Sequence, residues 1–391
     1  MLKLSLKKGK ESSVLRKHPW VFSGAIQNYN SRNVDGSLAE LNDSSGNFLA
    51  IGHFQNHGSI ALRILSFENR IIDQDFWRER LSNAKAIREN AGLLSNSNNC
   101  FRLIHGEGDF LPGLIIDVFG SNAVIQAHSM GMHLQYKEIA TALDNLFGDS
   151  LQTIYYKSKN TLPGQADTDL DYWIKGSAAD TIVKENDNLF KVDWVKGQKT
   201  GFFLDQRANR QLLFEMTRPG MSVLNTFCYS GGFSVYALKK DPTKVVSVDA
   251  SASAIELTKE NVSLNKVNID RHISYTSDTL QYLRQTENFD VIIVDPPAFA
   301  KSQKVKHNAL MGYKRLNALA LSKINPGGLL FTFSCSQAVS PLEFENTMRA
   351  AGIESGRSIR ILHRMQQGTD HPVSLQHPEG EYLKGLILQV E

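Results

Sequence analysis

The chain has 391 residues, 41% hydrophobic and 21% charged, with a formal net charge of +3 and a pI near 8.6. That length exceeds one core and suits two or three domains. The composition excludes disordered and fibrous classes, and the mild basicity leaves a nucleic-acid partner open, because what counts is where the charge sits. Three widely spaced cysteines, Cys100, Cys228 and Cys335, form neither a disulfide framework nor a metal-ligand pattern. We therefore expect a reducing compartment and no metal. The start, MLKLSLKKGKESS, lacks the apolar stretch of a signal peptide, and no run approaches ~18 apolar residues. These features predict a cytoplasmic protein without membrane contact.

Residues 1–72 read as short strands and turns. KLSLKKGKE alternates polar and apolar residues, HPWVFSGAI adds an aromatic-aliphatic run, and AELNDSSGNFLAIGHFQ reads as two strands around an Asp-Ser-Ser-Gly turn. Lys3, Lys7, Lys8, Lys10, Arg16 and Lys17 against Glu11 make the start strongly basic. Two explanations fit equally: a small β-barrel that meets RNA phosphates, or a strand edge protected by lysines.

Residues 73–178 predict a central α+β unit. A helix spans about 73–94, with Phe76, Leu81, Ala84 and Ile87 at helical spacing. Three strands follow between Phe101 and His128, then a helix over Leu134 to Leu146, a strand over Gln152 to Ser158, and a polar loop, NTLPGQADTD. Glu107 and Asp109 could serve as functional carboxylates, but in so glycine-rich a stretch they read rather as turn-formers.

Residues 179–391 open with a hairpin, TIVKEN and LFKVDW around an Asp-Asn turn, and a loop-to-helix run, KTGFFLDQRANRQLLFEM. From Val223 onward strands alternate with helices: VLNTF, KVVSVD, HISYTS, VIIVD, GGLLFTF, and a late pair near RILHR and GLILQV. Such alternation predicts a parallel sheet with helices on both faces, which binds ligands beyond the carboxyl ends of its strands.

Two runs carry the chemistry. VLNTFCYSGGFSVYA joins a buried strand to a helix through Gly231 and Gly232, but Tyr229 stands where a dinucleotide fingerprint would have a glycine. Asp249 ends the next strand, 24 residues after Asn225, where a carboxylate can hold ribose hydroxyls; helix capping is its bland alternative. Asp278 follows one strand later, placed to receive an adenine amino group. S-adenosylmethionine has no pyrophosphate to cradle, so the missing glycine is tolerable for it and damaging for a nicotinamide cofactor.

The second run, FDVIIVDPPAFAKS, is a strand stopped by Asp295-Pro296-Pro297, since proline cannot continue the ladder. The proline carbonyls and the Asp295 carboxylate can accept from the exocyclic amine of a flipped-out base, and Phe299 can stack on it. That lip specifies a base, not which atom is methylated. Cys335 discriminates, because carbon 5 of cytosine becomes nucleophilic only after a thiolate adds at carbon 6. If the two strands are neighbours, about 4.8 Å apart, Asp295 and Cys335 open onto one crevice. A packed strand-end cysteine is the competing explanation; Cys228 reads as a packing residue and Cys100 as inert. Lys301, Lys304, Lys306, Lys314 and Arg315 fall within fifteen residues with no acid among them, which predicts a surface loop for RNA phosphates or a merely solvated one.

On these runs, together with GEGDFLPGLIIDVFG and the tail DHPVSLQHPEGEYLKG, nearly the whole chain resembles the bacterial ribosomal large-subunit methyltransferase I family. The resemblance implies an N-terminal PUA domain, a central α+β domain and a Rossmann-like class I methyltransferase domain. It implies S-adenosylmethionine as cofactor, 23S rRNA as partner, 5-methylcytosine as product, and a homodimer. Carried onto this sequence, Cys335 is the nucleophile and Asp295 orients or helps protonate the pyrimidine. Pro296, Pro297, Phe299 and Lys301 form the substrate lip. The cofactor set is Asp205 and Gln206 of LDQR, Asn225, Phe227, Gly231 and Gly232 of the turn, then Asp249, Ala250, Ser251, Asp278 and Asp295. The base that removes the carbon-5 proton has no candidate. A guanine N-methyltransferase on the same scaffold and a non-catalytic RNA-binding assembly protein are the alternatives.

Overall fold

The computed structural model describes residues 1–162, 170–177, 181–300 and 302–391. Most of the NTLPGQADTD loop and Lys301 lie outside the described residues. The chain divides into two units. One contains Met1–Val183, Val192–Leu204 and Thr369–Gly380; the other contains Lys184–Lys191, Asp205–Gly368 and Glu381–Glu391.

The first unit holds two five-stranded sheets. The N-terminal one comprises β1 (Leu2–Ser5), a single helical turn α1 (Ser12–Leu15), β2 (Trp20–Phe22), β3 (Leu38–Asn42), β4 (Phe48–Phe54) and β5 (Ile60–Ser66), in the order β1-β3-β4-β5-β2. β1 runs parallel to β3 and the other pairs are antiparallel. A bridge from Leu6 to Ile26 ties the two edges together, so the sheet curls into a small barrel around Leu4, Leu41, Phe54, Leu62 and Ile64.

Next come α2 (Gln74–Asn90), β6 (Cys100–His105), β7 (Leu114–Phe119), β8 (Asn122–Ala127), α3 (Met130–Leu134), α4 (Tyr136–Phe147), β9 (Thr153–Lys157) and β10 (Asp171–Lys175). The sheet order is β10-β9-β8-β7-β6, antiparallel except for β8 and β9, which the α3–α4 crossover joins in parallel. Asp73 caps α2 by accepting from the amides of Asp75 and Phe76. The helix buries Phe76, Trp77, Leu81 and Ala84 in a core shared with Leu103, Ile116, Ile125 and Leu143. Ile87, the fourth residue of the expected stripe, is exposed.

Glu107 and Asp109 do sit in a 3-10 turn, but as carriers of charge. Glu107 accepts from Trp20 Nε1 at 2.8 Å and pairs with Arg63 at 3.1 Å. Asp109 forms a two-pronged pair with Arg88, both side chains buried, at 2.5 and 2.7 Å. The carbonyl of Asp370 accepts from the same guanidinium, and the Asp370 carboxylate takes the Arg102 amide.

His53, on β4, is 1% exposed, and neither ring nitrogen has a hydrogen-bond partner among the described residues. Burial, with Arg63 adding like charge, pushes its pKa down to about 4. The unfolded chain therefore binds the proton more readily. The stability this ring contributes is complete above pH 6.5 and is lost as pH falls toward 4. We expect the melting temperature of the first unit to drop across that window, and less steeply in His53→Leu. Equal slopes would remove His53 from the account.

In sequence after β10, β11 (Ile182–Glu185) and β12 (Asn188–Lys191) pair as a hairpin. Its turn lies one residue earlier than the sequence suggests: Asn186 and Asp187 both have positive φ, the conformation a two-residue primed turn requires.

The second unit continues with α5 (Arg207–Met216), β13 (Ser222–Thr226), α6 (Gly232–Leu238), β14 (Lys244–Asp249), α7 (Ala252–Ser263), β15 (His272–Thr276), α8 (Thr279–Gln285) and β16 (Phe289–Val294). It closes with α9 (Lys306–Ser322), β17 (Ile324–Ser334), α10 (Pro341–Ser355), β18 (Ile359–Met365) and β19 (Lys384–Val390). The seven strands run β15-β14-β13-β16-β17-β19-β18. β13 is buried along its whole length, and β16 at every residue but Asp290, as expected of strands at the centre of a sheet covered on both faces. The expected all-parallel sheet is corrected at one edge. The α10 crossover sets β18 down parallel to β17 but one place away, and β19 fills the gap antiparallel to both. Between β13 and β16 the strand order reverses, which makes the switch point where open α/β sheets bind ligands. No helix among the described residues is long and apolar enough to cross a membrane.

Candidate active site

The turn after β13 is built to be rigid. Phe227 and Tyr229 have φ of 53° and 46°, and Gly231, the N-cap of α6, has φ of 76°. A side chain at Gly231 would be strained by that φ and would meet Thr258 Cγ2 at 2.7 Å. Here the glycine permits close packing on α7, whereas a dinucleotide turn uses its glycines to approach phosphate. The Tyr229 amide donates to Asp249 at 3.0 Å, Thr258 Oγ1 to the Tyr229 carbonyl at 2.9 Å, and Asn261 Nδ2 to the Ser230 carbonyl at 2.8 Å. These bonds offset the cost of holding two non-glycine residues in the left-handed region.

The C-terminal ends of β14 and β15 carry the two acids. Asp249 is half-buried and does not cap a helix. One oxygen takes the Tyr229 amide and the other the Ser251 amide at 2.9 Å, while Ser251 itself caps α7. A carboxylate has about four acceptor positions, so Asp249 is preorganised with capacity left for hydroxyl donors. Asp278 is exposed and caps α8 by accepting from the Gln281 amide at 2.9 Å. Ala250 is exposed at the same ridge. Rigid turn, half-filled carboxylate and exposed second acid form an acceptor set whose chemistry fits the hydroxyls of a ribose and the amino group of an adenine.

Other residues of the expected cofactor set are placed differently. Asn225 is 1% exposed and donates to Ser234 Oγ at 2.9 Å, so it braces the turn from beneath. The LDQR run is drawn inward: Asp205 accepts from Tyr382 Oη at 2.5 Å, and Gln206 donates to Asp295 at 3.0 Å. Arg210, one turn further along α5, is clamped by Glu185 at 2.7 and 2.8 Å and supports Gly232 from below.

β16 and β17 are parallel neighbours, with Val294 opposite Thr332. The half-buried Cys335 lies one residue beyond β17, its Sγ 4.0 Å from the Pro296 carbonyl oxygen. Asp295 and Cys335 therefore stand at adjacent strand ends. Ser336 pins the lip, accepting from the Ala300 amide at 3.1 Å and lying 2.9 Å from Tyr313 Oη. Pro296 is buried and Pro297 exposed; Phe299 is half-buried, with Tyr313 4.6 Å away between ring centroids. Cys100 is buried, as is Cys228, whose thiol burial pushes up to about 12.

The basic segment after the lip is corrected from a loop to a helix. It forms α9 from Lys306 onward, and α10 supplies the acids its own sequence lacks: Glu343 holds Lys306 and Glu354 holds Lys314, each at 2.7 Å. Lys304, His307 and Arg315 remain exposed. Two polar residues at the site went unnoticed in the sequence, the half-buried Tyr382 and the buried Lys384; a lysine abutting the apolar run GLILQV was the available signal.

The model of the S-adenosylmethionine-dependent methyltransferase family matches residues 164–376, and that of the PUA-like domain matches residues 4–67. The structure of SMU.776 in complex with SAH shares the fold, with a TM-score of 0.86 over 100% of both chains at 22% identity. The fold and site thus define an S-adenosylmethionine-dependent methyltransferase with a PUA-like domain at its N-terminal end. Among curated proteins, the ribosomal RNA large subunit methyltransferase I of Tolumonas auensis is 37% identical over 98% of each chain. That of Erwinia tasmaniensis is 36% identical over 100% of this chain and 99% of its own. The chain belongs to the ribosomal RNA large subunit methyltransferase I family.

Proposed function

We propose that this methyltransferase acts on carbon 5 of a cytosine in 23S rRNA, with Cys335 as its nucleophile. The observation that carries the reading is a half-buried thiol at the β17 end beside Asp295 and the Pro296 carbonyl. The ribosomal substrate rests on the names of the relatives and on the PUA-like domain.

S-adenosylmethionine supplies an electrophilic methyl group when bound; Asp249 and Asp278 would hold its ribose and adenine. The Cys335 thiolate adds to carbon 6 of the cytosine, and the electron pair moves to carbon 5, which takes the methyl group. Loss of the carbon-5 proton then restores the ring and breaks the carbon–sulfur bond. Asp295, held by Gln206, would orient the pyrimidine, with the proline carbonyls receiving its amine. Residues 1–72 would bind RNA, 73–178 form the central domain and 179–391 the catalytic domain. Nucleoside analysis of 23S rRNA after transfer of labelled methyl groups tests the reading: label must appear in 5-methylcytosine, and label in a methylguanosine would move the chemistry to nitrogen.

Replacing Asp249 by alanine removes the carboxylate while the turn keeps its other bonds. We expect the dissociation constant for S-adenosylmethionine to rise roughly 30-fold, about 2 kcal/mol for lost charge-assisted hydrogen bonds. Calorimetric titration reads this directly, and an unchanged constant would remove Asp249 from the cofactor set.

A further inference from the structure

Lys384 opens β19 in register with Ser334, the last residue of β17. It is 6% exposed, and its Nζ donates to the carbonyls of Ser336 at 2.6 Å and Tyr382 at 2.8 Å. Both acceptors are neutral, which is an unusual way to bury an ammonium, because a buried charge is costly without a counter-charge. The first of these carbonyls belongs to the residue after Cys335. We propose that Lys384 is a positioning residue for Cys335, its fixed ammonium holding the sulfur as thiolate for attack on the pyrimidine. This deepens, and rests on, the reading of Cys335 as nucleophile.

The step is a proton transfer with nothing left over: the thiol proton leaves to solvent, and the resulting thiolate is balanced by the ammonium that Lys384 already carries. Burial pushes the Lys384 pKa down to about 8, while the charges of Cys335 and then Glu381 push it up, as expected if the sulfur is the counter-charge. The other charged groups packed around β19 do not substitute for it. Glu381, three residues before Lys384, is exposed to solvent, and Glu345 of α10 and Arg364 of β18 are paired with each other at 2.7 Å. Tyr313 of α9 reaches Ser336, yet burial raises its hydroxyl pKa, so it stays neutral. Asp295 at the β16 end carries the wrong sign to favour a thiolate. An ammonium beside a thiol is the usual means of activating a cysteine.

The test is the rate of alkylation of Cys335 by iodoacetamide between pH 5 and 10, read by mass spectrometry on the full-length chain. Cys100 and Cys228 are buried, which separates their signal. Wild type should reach half its maximal rate below the pH of about 8.5 typical of a free thiol. Lys384→Met should shift the profile upward, with alkylation about tenfold slower at pH 7, and Lys384→Arg should restore it by keeping the charge. Affinity for S-adenosylmethionine, followed in all three, reports whether the fold is intact. Coincident wild-type and methionine profiles would overturn the proposal, as would an arginine variant that stays shifted. If the methionine variant does not bind S-adenosylmethionine, the wild-type and arginine profiles decide, and half-maximal rates at or above pH 8.5 overturn the proposal. Methyl transfer by Cys335→Ala, measured separately, tells whether the nucleophile reading itself has failed, because the alkylation profile stays legible either way.

Discussion

Cys335→Ala is expected to abolish 5-methylcytosine formation, lowering methyl transfer at least roughly 10⁴-fold, as removal of a covalent nucleophile generally does. Affinity for S-adenosylmethionine should not change, because the Asp249 ridge lies at other strand ends of the sheet. The same chemistry predicts a trap. RNA carrying 5-fluorocytosine has no carbon-5 proton to lose, so wild type should remain covalently joined to it through a bond that survives denaturation. Cys335→Ala should form no such adduct. A variant that keeps its methyl-transfer rate would sink the covalent mechanism and leave the Asp295-Pro-Pro-Phe lip as the centre of an amino-nitrogen methyltransferase.

The second large effect lies in the first unit. Arg88→Met should destabilise it by about 3–5 kcal/mol, the usual consequence of stripping one partner from a buried ion pair. Arg88 is fully buried, meets both oxygens of Asp109, and also donates to the carbonyls of Arg102 and Asp370. The methionine variant leaves the Asp109 carboxylate buried, with the His105 amide still donating to it at 2.6 Å. Urea unfolding followed by signals of the first unit would measure the loss, and the double variant Arg88→Met/Asp109→Leu should recover much of it. A loss below about 1 kcal/mol would show that solvent reaches the pair.

Local signals were strong wherever a residue had one job that its neighbours reveal. The alternating β and α runs predicted the order of elements in the second unit, because apolar period and turn residues act over a few positions. Asp295-Pro296-Pro297 announced a strand end for the same reason. Asp249 at a strand end suggested more than a cap, and its carboxylate indeed takes two amides and leaves the capping of α7 to Ser251.

What the sequence could not show is which distant group meets which. The apparent basic loop after the lip was read without acids, but Glu343 and Glu354 come from another helix and neutralise Lys306 and Lys314. Asn225 and Gln206 carry side chains suited to a ligand, and only packing shows that they spend them on Ser234 and Asp295. Asp109 looked like a turn residue until α2 delivered Arg88 to it.

The amino-acid sequence by itself determined most of the strands, helices and turns, the candidate nucleophile and the resemblance to a methyltransferase family, since each depends on residue type and spacing. Tertiary structure decided the insertion of β19 antiparallel between β17 and β18, and with it the placing of Lys384 opposite the strand end that leads to Cys335. Those two residues are 49 positions apart, and the pairing that joins them rests on sheet register, which depends on contacts between segments rather than on either segment's own pattern.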